Sequence, residues 1–143
     1  LQIQGLFPMT DHPADLFIGA LSKRSGVNIE TIRYYERIGL MPAPPRSRGG
    51  HRVYDRDHLQ RLSFIHRSRR LGFTIQEIRD LLGLVEGDYT CRDVKAVVLD
   101  HIGDVRAKIT DLKKLESTLL EFAGQCDGGE TAACPIINQL LDA

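Results

Sequence analysis

Cys91, Cys126 and Cys134 are the only thiols in this 143-residue chain, and their spacing limits what they can do. Cys126 and Cys134 bracket the seven residues DGGETAA. Gly128-Gly129 within that stretch lets the backbone turn back, so two thiolates can converge on one ion. Cys91 lies thirty-five residues before Cys126, too far along a predicted rod to join it within one chain. Three thiolates with no evident fourth ligand favour soft ions that accept low coordination. An odd, widely spaced set is a poor disulfide framework, so free thiols in a reducing, cytoplasmic compartment are expected. A free cysteine is otherwise a small hydrophobe. These three are set apart by standing only at the two ends of the rod and in one Gly-rich loop.

Arginine supplies the second chemical signal. The chain carries 19 Lys and Arg and 19 Asp and Glu, a net charge of zero. The two halves differ: residues 1–86 hold 13 basic against 9 acidic side chains, and residues 87–143 hold 6 against 10. Eight arginines (46, 48, 52, 56, 61, 67, 69 and 70) fall within 46–70 beside only Asp55 and Asp57. Concentrated fixed positive charge points to a polyanionic partner, because phosphate contacts require it. A solvated surface is the plain alternative.

The elements that must position these groups follow from punctuation. Phe17 to Ser25 reads as a short helix with Phe17, Ile18 and Leu21 apolar, stopped at Gly26. Asn28 then caps a second helix, IETIRYYERIG, with Ile29, Ile32 and Ile38 facing inward. A tight Gly-containing turn between two short helices is a helix-turn-helix unit. Thr31, Arg33, Tyr34 and Arg37 face outward as donors suited to phosphates and base edges. Pro42, Pro44 and Pro45 forbid further helix. Gly49-Gly50, flanked by Arg-Ser-Arg and His-Arg-Val-Tyr, predicts a β-wing with arginines on both arms. Asp55 or Asp57 caps HLQRLSFIHRSRRLG, whose inward face is Leu59, Leu62, Phe64/Ile65 and Leu71. Thr74-x-x-Glu77 is a capping box that opens TIQEIRDLLGLV. His58 and His66 are read as surface or cap residues.

From about Arg92 to Phe122 one proline-free helix is expected. Val98, Ile102, Val105, Ile109 and Leu112 step as a coiled-coil seam, which shifts by one position to Leu115, Leu119 and Phe122. A helix of about thirty residues is roughly 45 Å long, too long to bury its stripe on short neighbours. A parallel or antiparallel helix from a second chain is therefore expected. In the antiparallel case Cys91 of one protomer meets the Cys126–Cys134 loop of the other.

Forty-two per cent hydrophobic residues is ordinary for a globular chain and too high for intrinsic disorder. No run approaches the ~18 apolar residues of a membrane span. The first fifteen residues hold no Lys or Arg and are not read as a signal peptide.

The segment FIGALSKRSGVNIETIRYYERIGLMPAPPRSRGGHRVYD, continued by HLQRLSFIHRSRRLGFTIQEIRDLL, closely resembles the N-terminal domain of the MerR family of metal-responsive transcription regulators. The signature is IRYYERIGL followed by RVYD, and the likeness runs on to Cys134-Pro135. It implies that the helix-turn-helix and wing contact operator DNA, with Arg33, Tyr35, Arg46, His51, Arg52 and Arg69 at the matching positions. It further implies an antiparallel coiled-coil homodimer on a pseudo-palindrome. Effector binding in such a dimer distorts the DNA so that RNA polymerase reads both promoter elements. Members sensing monovalent copper, silver or gold have Ser where Cys91 stands, so Cys91 resembles the divalent branch, although the loop length is that of the copper group. Zinc sensors add adjacent cysteines and a loop histidine, both absent from GQCDGGETAACP. The implied order of effectors is Hg(II), then Pb(II) or Cd(II), with no organic cofactor.

The expected architecture is mainly α. A flexible arm (1–15) precedes a winged helix-turn-helix DNA-binding domain (16–86), a coiled-coil dimerisation helix (87–124), and a metal-binding loop with a short terminal helix (125–143). The expected function is a regulator that senses a thiophilic metal through Cys91, Cys126 and Cys134. A thiol redox sensor on the same scaffold and a copper- or zinc-responsive member are the alternatives. An enzyme is not expected, since no catalytic signature accompanies the cysteines, and neither is a membrane partner.

Overall fold

The computed structural model describes residues 16–126, 128–130 and 134–142. The expected arm at 1–15 and part of the 127–133 loop lie outside the described residues. Six helices are present among those described: α1 (Ile18–Ser25), α2 (Ile29–Arg37), α3 (Arg56–Arg70), α4 (Ile75–Glu86), α5 (Cys91–Gly124) and α6 (Pro135–Leu141). The chain divides into two units, with the boundary between Val97 and Val98 inside α5.

In the first unit each helix starts where a side chain satisfies the free amides of its first turn, α1 excepted. Asn28 accepts from the Thr31 amide at 2.8 Å. Asp55 and His58 form a reciprocal capping box on α3, and Thr74 and Glu77 form one on α4. Thr90 and Asp93 repeat the arrangement at α5. The Thr90 amide donates to Asp93 Oδ2 at 2.8 Å, and the Asp93 amide donates to Thr90 Oγ1 at 3.3 Å. α1 ends at Gly26, whose φ of 76° is a left-handed conformation that glycine adopts without a Cβ penalty. Val27 and Asn28 then redirect the chain into α2, which makes the helix-turn-helix.

The core joins all of these segments. Leu21, Ile32, Leu40, Met41, Tyr54, Leu62, Ile65 and Ile78 are fully buried, and Val94 and Val97 of the first turns of α5 pack against them. Two arginines tie α3 and α4 to the end of α2: Arg61 Nε donates to the Leu40 carbonyl at 2.8 Å, and Arg79 donates to the Ile38 carbonyl. Arg61 also pairs with Glu86. Arg61 of the arginine block is thus spent on internal structure.

Three side chains depart from the expected pattern. Leu71 is 69% exposed, because α3 stops at Arg70 and Phe73, after the Gly72 turn, fills the core place instead. Phe17 is exposed as the N-cap of α1, leaving Ile18 half-buried. His58 is a cap residue but not a surface one: it is buried, with its ring edge-on to Tyr54 at 5.4 Å.

In the second unit α5 continues to Gly124. Val98, Val105, Ile109, Leu112, Leu115 and Leu119, all on the predicted seam, are exposed within the single chain. α6 carries exposed Ile137, Leu140 and Leu141. No helix among the described residues is long and apolar enough to cross a membrane.

Candidate nucleic-acid interface and thiol positions

The wing forms where Gly49-Gly50 predicts a turn. Ser47 and His51 pair at 2.7 Å, Val53 donates to the Pro45 carbonyl at 2.9 Å, and Arg46 and Arg52 face each other as an antiparallel bridge. Gly50 has φ 80°, which only glycine accepts comfortably at such a turn. Among the described residues the pairing is too short to make a strand. Arg46 Nη1 donates to the Gly50 carbonyl at 2.8 Å, which holds this guanidinium across the turn.

Wing, α1 and α2 together enclose a cleft of about 410 Å³ lined by Phe17, Ile18, Arg33, Arg46, Gly50, His51 and Arg52. Four of the predicted contact residues therefore meet at one place, with no acid in the lining. Phe17 stacks edge-on against His51 at 6.1 Å. On α2, Tyr34 is 44% exposed, and the Arg37 guanidinium sits 5.9 Å from its ring centre, a cation–π placement. Thr31 is half-buried, and its amide is engaged by the Asn28 cap. Arg69 is elsewhere: its Nη1 donates to the Phe73 carbonyl at 2.8 Å, at the α3–α4 turn.

Tyr35 is set apart from the other predicted contact residues by its burial. Its side chain is 7% exposed and belongs to the core, and its carbonyl accepts from the Leu40 and Met41 amides at 2.9 and 3.0 Å. The α2 face that carries Ile32 also carries Tyr35, three residues on. Its backbone carbonyl thereby holds the turn that leaves α2.

Behind the cleft stands a group that periodicity does not reveal. Tyr54 is fully buried, and its hydroxyl donates to Glu36 Oε1 at 2.5 Å. Glu36 Oε2 faces Arg52 Nε at 3.5 Å. Burial, reinforced by the bond to Glu36, pushes the Tyr54 phenol far above its ordinary range, so it acts as a fixed donor. The available signal was chemical: a tyrosine in a core segment needs a hydroxyl partner.

The thiols are all free. Cys91 is exposed, and Cys126 and Cys134 are half-buried. Cys91 is the first residue of α5, within the Thr90–Asp93 box, whose hydrogen bonds hold the Asp93 carboxyl below its ordinary value. Cys134 is the N-cap of α6, with Pro135 opening that helix. Cys126 lies two residues beyond the end of α5. The helix between Cys91 and Gly124 spans about 50 Å at the standard rise. Cys91 and Cys126 thus stand at the start and just past the end of one continuous helix.

The model of the MerR helix-turn-helix family of regulatory proteins matches residues 17–84, and that of the MerR DNA-binding region matches residues 59–122. The mercuric resistance operon regulatory protein of Bacillus cereus is 44% identical over 126 residues, covering 87% of this chain and 96% of the relative. A transcription regulator from Ralstonia metallidurans, solved in complex with lead(II), is 43% identical with a TM-score of 0.73, covering 86% of this chain and 97% of its own. The Bacillus megaterium regulator MerR, solved with mercury(II), is 39% identical with a TM-score of 0.69, covering 88% and 99%. These proteins are DNA-binding transcription regulators and not enzymes. By the two matched regions and by identity along most of its length, this chain belongs to the MerR family of helix-turn-helix transcription regulators.

Proposed function

We propose that the chain is a homodimeric activator of a metal-resistance promoter, switched by a thiophilic divalent ion. Hg(II) is the favoured ion, ahead of Pb(II) and Cd(II). The DNA-reading surface is the cleft of Arg33, Arg46, His51 and Arg52, extended along α2 by Thr31, Tyr34 and Arg37, with Arg69 as a separate contact from the α3–α4 turn. Phosphate and base-edge contacts from these donors fix the dimer on operator DNA, and RNA polymerase is the partner at the same promoter.

The observation that carries the sensing half is the distribution of thiols along α5. Cys91 stands at its start and Cys126 just past its end, with an apolar seam exposed along its length. An antiparallel pairing of two such helices buries the seam and brings Cys91 of one protomer to the Cys126–Cys134 loop of its partner, twice per dimer. Three thiolates suit a soft, low-coordinate ion. The mercury- and lead-bound relatives support this choice of ion.

In vitro transcription from the cognate promoter tests the proposal, using Hg(II), Pb(II), Cd(II), Zn(II), Cu(I) and peroxide in turn. Activation by the divalent soft ions, accompanied by thiolate charge-transfer absorbance, is expected. Cys91→Ser should lose the response and keep operator binding. Activation by peroxide alone would replace metal sensing with thiol oxidation, and retained mercury or lead activation in the serine variant would remove Cys91 from the site.

A further inference from the structure

Among the described residues Glu36 is the acidic side chain tied to the arginine cleft, and no contact surface proposed above includes it. Its side chain is only 9% exposed. Its two oxygens serve different partners: Oε1 accepts from Tyr54 at 2.5 Å, and Oε2 faces Arg52 Nε at 3.5 Å. Tyr54 is itself immobilised, with no exposed surface. Its backbone is paired in both directions with Leu16, at 2.7 and 2.8 Å, ahead of α1. A chain of fixed contacts therefore runs from the segment before α1, through Tyr54 and Glu36 on α2, to Arg52 on the wing.

We infer that Glu36 is a positioning residue that sets sequence discrimination by holding Arg52 of the wing in register with α2. The inference rests on the reading of the arginine cleft as the DNA surface. A guanidinium engaged through Nε keeps its two terminal nitrogens as donors, so Arg52 is oriented without being consumed. An unheld arginine would find phosphates in many arrangements, which serves any duplex equally. A buried carboxylate beneath the cleft also repels phosphate, so it subtracts from indiscriminate attraction. Both effects widen the gap between the right duplex and the wrong one, and that gap is what specificity means.

Glu36→Gln separates these roles from folding, because the amide oxygen still accepts from Tyr54 while the charge opposite Arg52 is lost. The full-length protein is titrated by fluorescence anisotropy with two duplexes of equal length and composition. One is selected from a random library by the wild-type protein, and the other is its shuffled counterpart. Affinity for the selected duplex should fall roughly three- to tenfold, in the range of one partly buried ion pair with its positioning effect. Affinity for the shuffled duplex should hold or rise. In an Arg52→Ala background, Glu36→Gln should cost the selected duplex nothing further. Tyr54→Phe, which removes the anchor but keeps the charge, should lower the selected affinity without raising the shuffled one. If both affinities of Glu36→Gln fall together, the residue serves only the fold. If both rise equally, it is only a repulsive charge. Either result overturns the inference alone. An Arg52→Ala protein that binds as wild type would overturn the reading of the arginine cleft and this inference with it.

Discussion

Leu112 lies on the α5 seam and is 63% exposed in the single chain. If the seam is a dimer interface, that surface is buried on association, and Leu112→Ala removes the part of it carried by three carbons. Burial is worth about 0.8 kcal/mol per methylene. With roughly two thirds of the side chain newly covered, the loss is about 1.5 kcal/mol per copy. Two-fold symmetry places the same residue in the interface twice, so the dimer loses about 3 kcal/mol, or roughly a hundredfold in dissociation constant. Sedimentation equilibrium of the reduced protein over a wide concentration range measures this directly. Asp111→Ala, one residue off the seam, should leave the constant unchanged. A Leu112→Ala dimer weakened by less than about threefold, equivalent to under 1 kcal/mol, would refute the assignment of the seam as the contact between copies.

Two further outcomes concern the first unit. Tyr54→Phe should cost about 1.5–3 kcal/mol in urea unfolding, the usual loss for a buried hydrogen bond to a charged acceptor; an unchanged midpoint would mean that Glu36 finds another donor. Asp55 gives a pH test. Burial alone would raise its pKa, but hydrogen bonds from the His58 and Asp57 amides, with the His58 ring beside the carboxylate, outweigh burial and hold it below its ordinary value. Its ionised form is favoured in the folded state, so this contribution is complete above the ordinary carboxylate value and is lost as pH falls through the lower, folded-state one. Asp55→Asn keeps an N-cap acceptor and should flatten the decline in stability below about pH 4. An acid transition identical to wild type would contradict that role.

Local chemistry made much of the fold legible. Gly26 and Asn28 announce the helix-turn-helix because one takes a left-handed turn and the other supplies an acceptor at a helix start. Thr74 and Glu77 mark the start of α4 for the same reason, and Gly49-Gly50 mark the wing. The gaps come where the answer is non-local. Glu36 and Tyr54 are eighteen residues apart, and Arg61 and Leu40 twenty-one, so no helical or strand period connects them. Tyr35 follows Tyr34 with the same chemistry, and only the rotation of α2 decides that one is exposed and the other buried. Leu71 fits the apolar period of α3, but the helix ends one residue too early to carry it inward. The thiols were legible as a set because three rare residues mark the two ends of one long helix. Their proposed convergence needs a second chain, which no single sequence displays.

In the proposed dimer each metal site takes Cys91 from one protomer and Cys126 with Cys134 from its partner. Heterodimers of Cys91→Ser with a Cys126→Ser/Cys134→Ser partner, isolated with two different affinity tags, test it directly. One subunit of such a pair retains the loop thiols and the other retains Cys91, so one complete three-thiolate site forms across the dimer. Mercury titration followed by charge-transfer absorbance should give one tight site per heterodimer and no comparable site in either mutant homodimer. A heterodimer with no tight site, or a Cys91→Ser homodimer that binds as tightly as wild type, would contradict it.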